Sequence, residues 1–198
     1  MEAGINLGKK TEEVVVNLTR VAQILKKTGK GELFSPPRAV EEFLSFFDNK
    51  EQDFLKEYLA SLTIKSPETD KINIPASVFY RLIDDIRTRS YRGLNIGEEE
   101  IVKAGKTMMG GQDLEKKEFE IKIGSVVKAF RDRYRQATRT GFLDSLADLD
   151  LILLAKETGG FLVSTDEGVV RWGRVFGVKE MPAPVFGTKM APLLHHQE

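Results

Sequence analysis

The chain has 198 residues, 41% hydrophobic and 30% charged, with thirty basic and thirty acidic side chains and no cysteine. That length suits one domain with room for an embedded subdomain, and the composition argues against disorder and against a membrane span. Zero cysteines exclude disulfides, thiolate metal sites and cysteine nucleophiles, and the balanced charge means that any affinity for nucleic acid has to come from local clustering.

The opening residues, Met-Glu-Ala-Gly-Ile-Asn-Leu-Gly-Lys-Lys, contain no apolar export segment, which predicts an intracellular, cytoplasmic protein. Val14, Val15, Leu18, Val21, Ala22 and Leu25 recur at helical spacing and Gly29 and Gly31 supply a stop, so a helix is expected over 11–28. Residues 32–35 read as a short strand. Pro36-Pro37 then turns the chain into a helix carrying Ala39, Val40, Phe43, Leu44, Phe46 and Phe47. A further helix near 51–62 and a short strand at 63–65 precede a polar loop. Alternating helices and short strands predict an α/β fold, a parallel sheet flanked by helices.

From Pro75 the texture changes, because Pro75 can open a helix and nothing strand-like follows until Phe161. Gly93, Gly97 and Gly110-Gly111 divide this stretch into expected helices near 76–92, 97–108 and 113–140. After Gly141 the sheet pattern resumes with a helix from Asp144 to Thr158, a strand at 161–165, a short helix from Glu167 and a last strand near 178–181. Residues 182–198 read as a loose tail. The expected organisation is a sheet domain of residues 1–74 and 141–198, interrupted by a helical insertion at 75–140.

Two chemical signals stand out. Asp144 and Asp148 are one helical turn apart and can converge on a cation, and Asp166 follows an apolar strand, where open α/β sheets form their ligand crevice. An all-oxygen set selects Mg²⁺ or Mn²⁺, which can hold phosphate oxygens and activate water. The plainer reading is that Asp144 caps its helix, Asp148 and Asp150 favour its amino-terminal dipole, and Asp166 caps the next helix. Glu42, taken alone beside Glu41, reads as a solvated surface residue.

The second signal lies between Lys122 and Arg139, where six basic residues meet one acid and Phe130 and Tyr134 interleave, a local charge of about +5. Arg131 and Arg135 share a face, and Lys128 lies two turns from Arg135, a ridge able to follow a phosphate backbone. A solvated helical face is the plainer reading.

The run Phe142-Leu-Asp144-Ser, with Asp148, Asp150-Leu-Ile-Leu-Leu-Ala and Val163-Ser-Thr-Asp166-Glu-Gly, resembles the C-terminal signature of the HARP family, minimal protein-only ribonuclease P enzymes with a PIN-like nuclease domain. The similarity extends through Arg131-Asp-Arg-Tyr-Arg, Arg92-Gly93-Leu94 and Ile74-Pro75-Ala76, roughly residues 32–180. It implies a PIN-like parallel sheet flanked by helices with an inserted helical hairpin, and Mg²⁺-dependent (or Mn²⁺-dependent) endonucleolytic removal of the 5′ leader from precursor tRNA. It also implies homo-oligomerisation through the insertion. By the same resemblance Asp144, Asp148 and Asp166 form the catalytic, metal-binding set. Glu42 matches a further acid, and so does Asp150, which points about 200° around the helix from Asp148 and ranks below it. Lys128, Arg131, Arg135 and Arg139 resemble residues that grip tRNA by shape and backbone.

The family opens on a buried strand ending in an aspartate. No aspartate precedes Thr11 here, so that strand and its ligand are expected to be missing. Two other readings stay open: a non-catalytic relative that binds tRNA or self-assembles, and a generic PIN endoribonuclease, against which the long insertion argues.

Overall fold

The computed structural model describes residues 5, 7–109, 115–139, 141–143 and 145–195. Its elements are α1 (Thr11–Thr28), β1 (Phe34–Ser35), α2 (Pro37–Ser45), α3 (Asp53–Ser61), β2 (Thr63–Ile64), α4 (Ala76–Met108), α5 (Lys116–Arg139), α6 (Leu146–Thr158), β3 (Phe161–Ser164), α7 (Glu167–Val175), β4 (Lys179–Pro182) and α8 (Ala183–His195). They divide into two compact units, Met1–Ile74 with Leu143–Glu198, and Pro75–Phe142. Among the described residues no helix is long and apolar enough to cross a membrane.

In the first unit every strand pairing is parallel, as the α/β reading expects: β1 with β2, and β3 with β4. Among the described residues the sheet is smaller than expected, two pairs rather than one continuous layer. α6, α7 and α8 pack against β3, and α6 also reaches β1. α1 begins and ends where its apolar spacing stops: Gly29 turns left-handed at φ 64°, and Lys30 closes the end by donating to the Leu25 carbonyl. Phe43, Phe47, Phe54 and Tyr58 join α2 to α3 through edge-to-face contacts, with ring centroids 5.2 to 6.0 Å apart. Burial pushes the Tyr58 hydroxyl above its ordinary pKa.

The expected loose tail is instead α8, and the correction has a physical cause. Phe186, Met190 and Leu194 recur every fourth residue and close over Leu7 and Val21. Pro184, Gly187 and Pro192 had masked that spacing.

The second unit is a hairpin of two long helices. Gly93 and Gly97 do not interrupt α4, which runs unbroken for 33 residues, about 50 Å. At Gly93 the missing side chain makes room for α5: a Cβ there would lie 2.7 Å from the Tyr134 ring. The expected break at Gly110-Gly111 falls outside the described residues. Asp85, Arg89, Gly93, Gly97 and Glu100 recur every three or four residues along α4. Arg89 donates to the Thr138 carbonyl at 2.8 Å and lies over the Phe142 ring at 4.7 Å, while Asp85 sits 3.6 Å from its guanidinium. Arg133 reaches across to Glu100 at 2.7 Å and Glu99 at 2.5 Å.

Candidate metal and RNA sites

α6 is covered on nearly every side: Ala147, Asp150, Ile152, Leu153 and Leu154 are all buried. Its amino end is capped by Ser145, whose hydroxyl accepts from the Ala147 N–H at 3.1 Å, so the helix starts at Leu146 and not at Asp144. Its carboxyl end turns at Gly159, φ 64°, and the Gly160 N–H donates to the Ala155 carbonyl as the chain swings directly into β3. β3 ends at Ser164, and Asp166 opens α7.

This layout places the acids as follows. Asp148 is half-buried in the first turn of α6. Asp166 is exposed and caps α7: its Oδ1 accepts from the Val169 N–H at 2.9 Å, leaving Oδ2 outside the cap, while its own N–H donates to the Ser164 hydroxyl. Asp150 is 8% exposed and turns the other way, accepting from the Arg38 guanidinium at 2.7 Å. Arg38 and Glu42 lie one turn apart on α2, which packs on α6, and Glu42 is exposed. Asp144 lies outside the described residues, and among the described residues no cluster of three or more acids or histidines gathers to hold a metal ion. The donor chemistry on offer, carboxylate oxygens at the amino ends of two packed helices, suits a hard divalent cation. Arg38 is the residue that sequence reasoning missed. Its partner is 112 positions away, and no local pattern announces such a pair.

A second set of charges holds the other end of α6. Glu157 accepts from Lys65, just past β2, and from the Glu68 N–H at 2.7 Å, while Glu68 itself pairs with Lys71. Lys65 and the Glu68 N–H hold the Glu157 carboxyl below the usual carboxylate range, and Glu157 in turn raises Lys65. Lys156 donates to the Phe176 carbonyl at 2.8 Å, fixing α6 to the end of α7.

On α5 the basic run separates into two jobs. Arg133 is committed to Glu99 and Glu100, and the guanidinium holds Glu100 below its ordinary pKa. Lys128, Arg131, Arg135 and Arg139 are exposed and fall within one arc of the helix, away from Val126 and Phe130. Lys128, Arg131 and Arg135 have no ion pair among the described residues.

The family of PINc domain ribonucleases matches this chain over residues 4–195, which sets its class. The RNA-free ribonuclease P of Hyperthermus butylicus is 35% identical over 171 residues, covering 84% of this chain and 72% of that protein. That of Methanocaldococcus jannaschii is 32% identical over 172 residues, 82% and 72%. That of Thermococcus kodakarensis is 31% identical over 194 residues, 98% and 89%. The chain belongs to the RNA-free ribonuclease P family, and the reading of a PIN-type endoribonuclease from its sequence is borne out.

Proposed function

We propose that this chain removes the 5′ leader of precursor tRNA by metal-dependent endonucleolytic hydrolysis in the cytoplasm. The observation that carries the reading is the pair Asp148 and Asp166, at the amino ends of two packed helices, in a chain of this family. Asp148, Asp166 and Asp144 hold Mg²⁺ or Mn²⁺, with Glu42 as a further acid. When bound, such a cation supplies positive charge to phosphate oxygens and makes a water acidic enough to attack. Asp166 keeps Oδ2 for this role while Oδ1 holds α7 in place. Asp150 orients α2 on α6 through Arg38 and ranks below the others as a ligand. Lys128, Arg131, Arg135 and Arg139 bind the RNA backbone without reading bases.

The hairpin is the domain inserted into the nuclease fold, and it joins copies of the chain. Phe79, Ile83, Ile86, Leu94 and Ile101 share one side of α4 and are all exposed, 48 to 73%, an apolar surface of the kind that marks an interface.

The test is cleavage of 5′-labelled precursor tRNA with Mg²⁺ by the wild type and by Asp144→Asn, Asp148→Asn and Asp166→Asn. Leader release that vanishes in the variants supports the reading. Tight tRNA binding without release by the wild type would make the chain a non-catalytic relative. Equal cutting of a leaderless stem-loop would make it a generic endoribonuclease.

A further inference from the structure

Along the water side of α2, Arg38, Glu42 and Phe46 follow one another at intervals of one turn. Glu42 is exposed, the Arg38 side chain is 56% exposed and Phe46 78%. Phe46 is the most exposed large hydrophobic residue of the first unit among the described residues. The opposite side of the helix fixes it there. Val40 is buried and Phe43 and Phe47 pack edge to face, while the Phe46 N–H still donates to the Phe43 carbonyl at 3.3 Å and so keeps the helical course. At the other end of the row the Arg38 guanidinium commits one nitrogen, Nη1, to the buried Asp150 carboxylate at 2.7 Å. Among the described residues its Nε and Nη2 have no partner. The row thus offers a preset guanidinium fork, a carboxylate and a free aromatic face over about 12 Å. That is the length of about three or four nucleotides stacked at 3.4 Å each.

We infer that this row is the path of the single-stranded leader as it leaves the cutting site: Phe46 stacks on a leader base and Arg38 holds a leader phosphate. The inference rests on the ribonuclease P reading, in which Glu42 joins the metal-binding acids. An exposed ring takes only an unpaired base, and the bases of tRNA stems are already paired and stacked. Glu41 and Glu42 repel phosphate, so the strand meets α2 through a base at one end and one phosphate at the other, which suits binding without sequence preference.

The test measures binding of two RNAs to the full chain in EDTA, where metal-dependent cleavage is silent: a precursor tRNA with a leader of about ten nucleotides, and the same tRNA without it. The wild type is expected to bind the leader-bearing RNA about tenfold more tightly, the effect of one base stacked on an aromatic ring. Phe46→Ala is expected to abolish that preference and Phe46→Trp to restore it, with thermal midpoints unchanged because the ring lies in water. Arg38→Gln is expected to lower the salt slope for the leader-bearing RNA alone, by about 1. The inference is overturned by equal affinity of the wild type for the two RNAs, or by an Arg38→Gln slope that falls for both or for neither. It is also overturned if Phe46→Ala weakens both alike, which would assign the ring to the unpaired 3′ end. Leader release by a wild type without leader preference would leave the ribonuclease P reading standing. A preference carried by Phe46 in a chain that does not cut would support the inference and count against catalysis alone.

Discussion

Asp166 does two things that one substitution can separate. Asn caps a helix about as well as Asp, so Asp166→Asn is expected to keep the thermal midpoint while losing cleavage; Asp166→Ala loses cleavage and about 1 kcal/mol of stability as well. Urea melts run beside the tRNA assay check this, and an Asn variant with full activity would remove Asp166 from the metal set. Asp150 should behave in the opposite sense. Its carboxylate is buried and its partner Arg38 is half in water, so Asp150→Ala is expected to cost about 1–3 kcal/mol of unfolding free energy, less than a fully buried pair. Both acids were legible in the sequence as acids on or beside α6. That Asp166 caps the next helix was legible too, because the Val169 N–H is a local partner; that Asp150 holds Arg38 was not, because the two lie 112 positions apart.

The helices and strands were largely readable because their apolar residues follow helical or extended spacing; the misreadings came where glycine and proline mean something other than a break. Gly93 and Gly105 lie on the same helix and make the point testable. At Gly93 alanine gains helix propensity but drives a methyl against the Tyr134 ring, so Gly93→Ala is expected to destabilise by about 1 kcal/mol. At Gly105 nothing lies within 4 Å, and Gly105→Ala is expected to stabilise by about 0.5–1 kcal/mol. Thermal melts of the two variants should shift in opposite directions. The basic residues of α5 divide in the same way. Replacing Arg131 or Arg135 by glutamine should lower the salt slope of tRNA binding by about 1 each. Arg133→Gln should instead lower hairpin stability, because its partners are Glu99 and Glu100.

For the molecule as a whole, charge pairs set the pH range of stability. Glu157 and Glu100 titrate below their ordinary value, so their contributions are complete above about pH 4.3 and are lost as pH falls through the lower folded values. Lys65 titrates above its ordinary value, so its contribution is complete below about pH 10.4 and is lost as pH rises through the raised one. Thermal midpoints are therefore expected to be flat in between and to fall on both sides, with a shallower acid limb in Glu157→Gln. The division of the chain also fixes an order of events. The first unit is assembled from both ends of the sequence, and α2 cannot meet α6 until the hairpin between them has been made. At about 5–20 residues per second, synthesis of that stretch takes roughly 3–14 s. The hairpin, whose partners are near in sequence, can form within that time. Meanwhile residues 1–74 wait with the face of α2 that packs on α6 uncovered, and this is the interval in which a ribosome-bound chain is most open to chaperone capture or to aggregation.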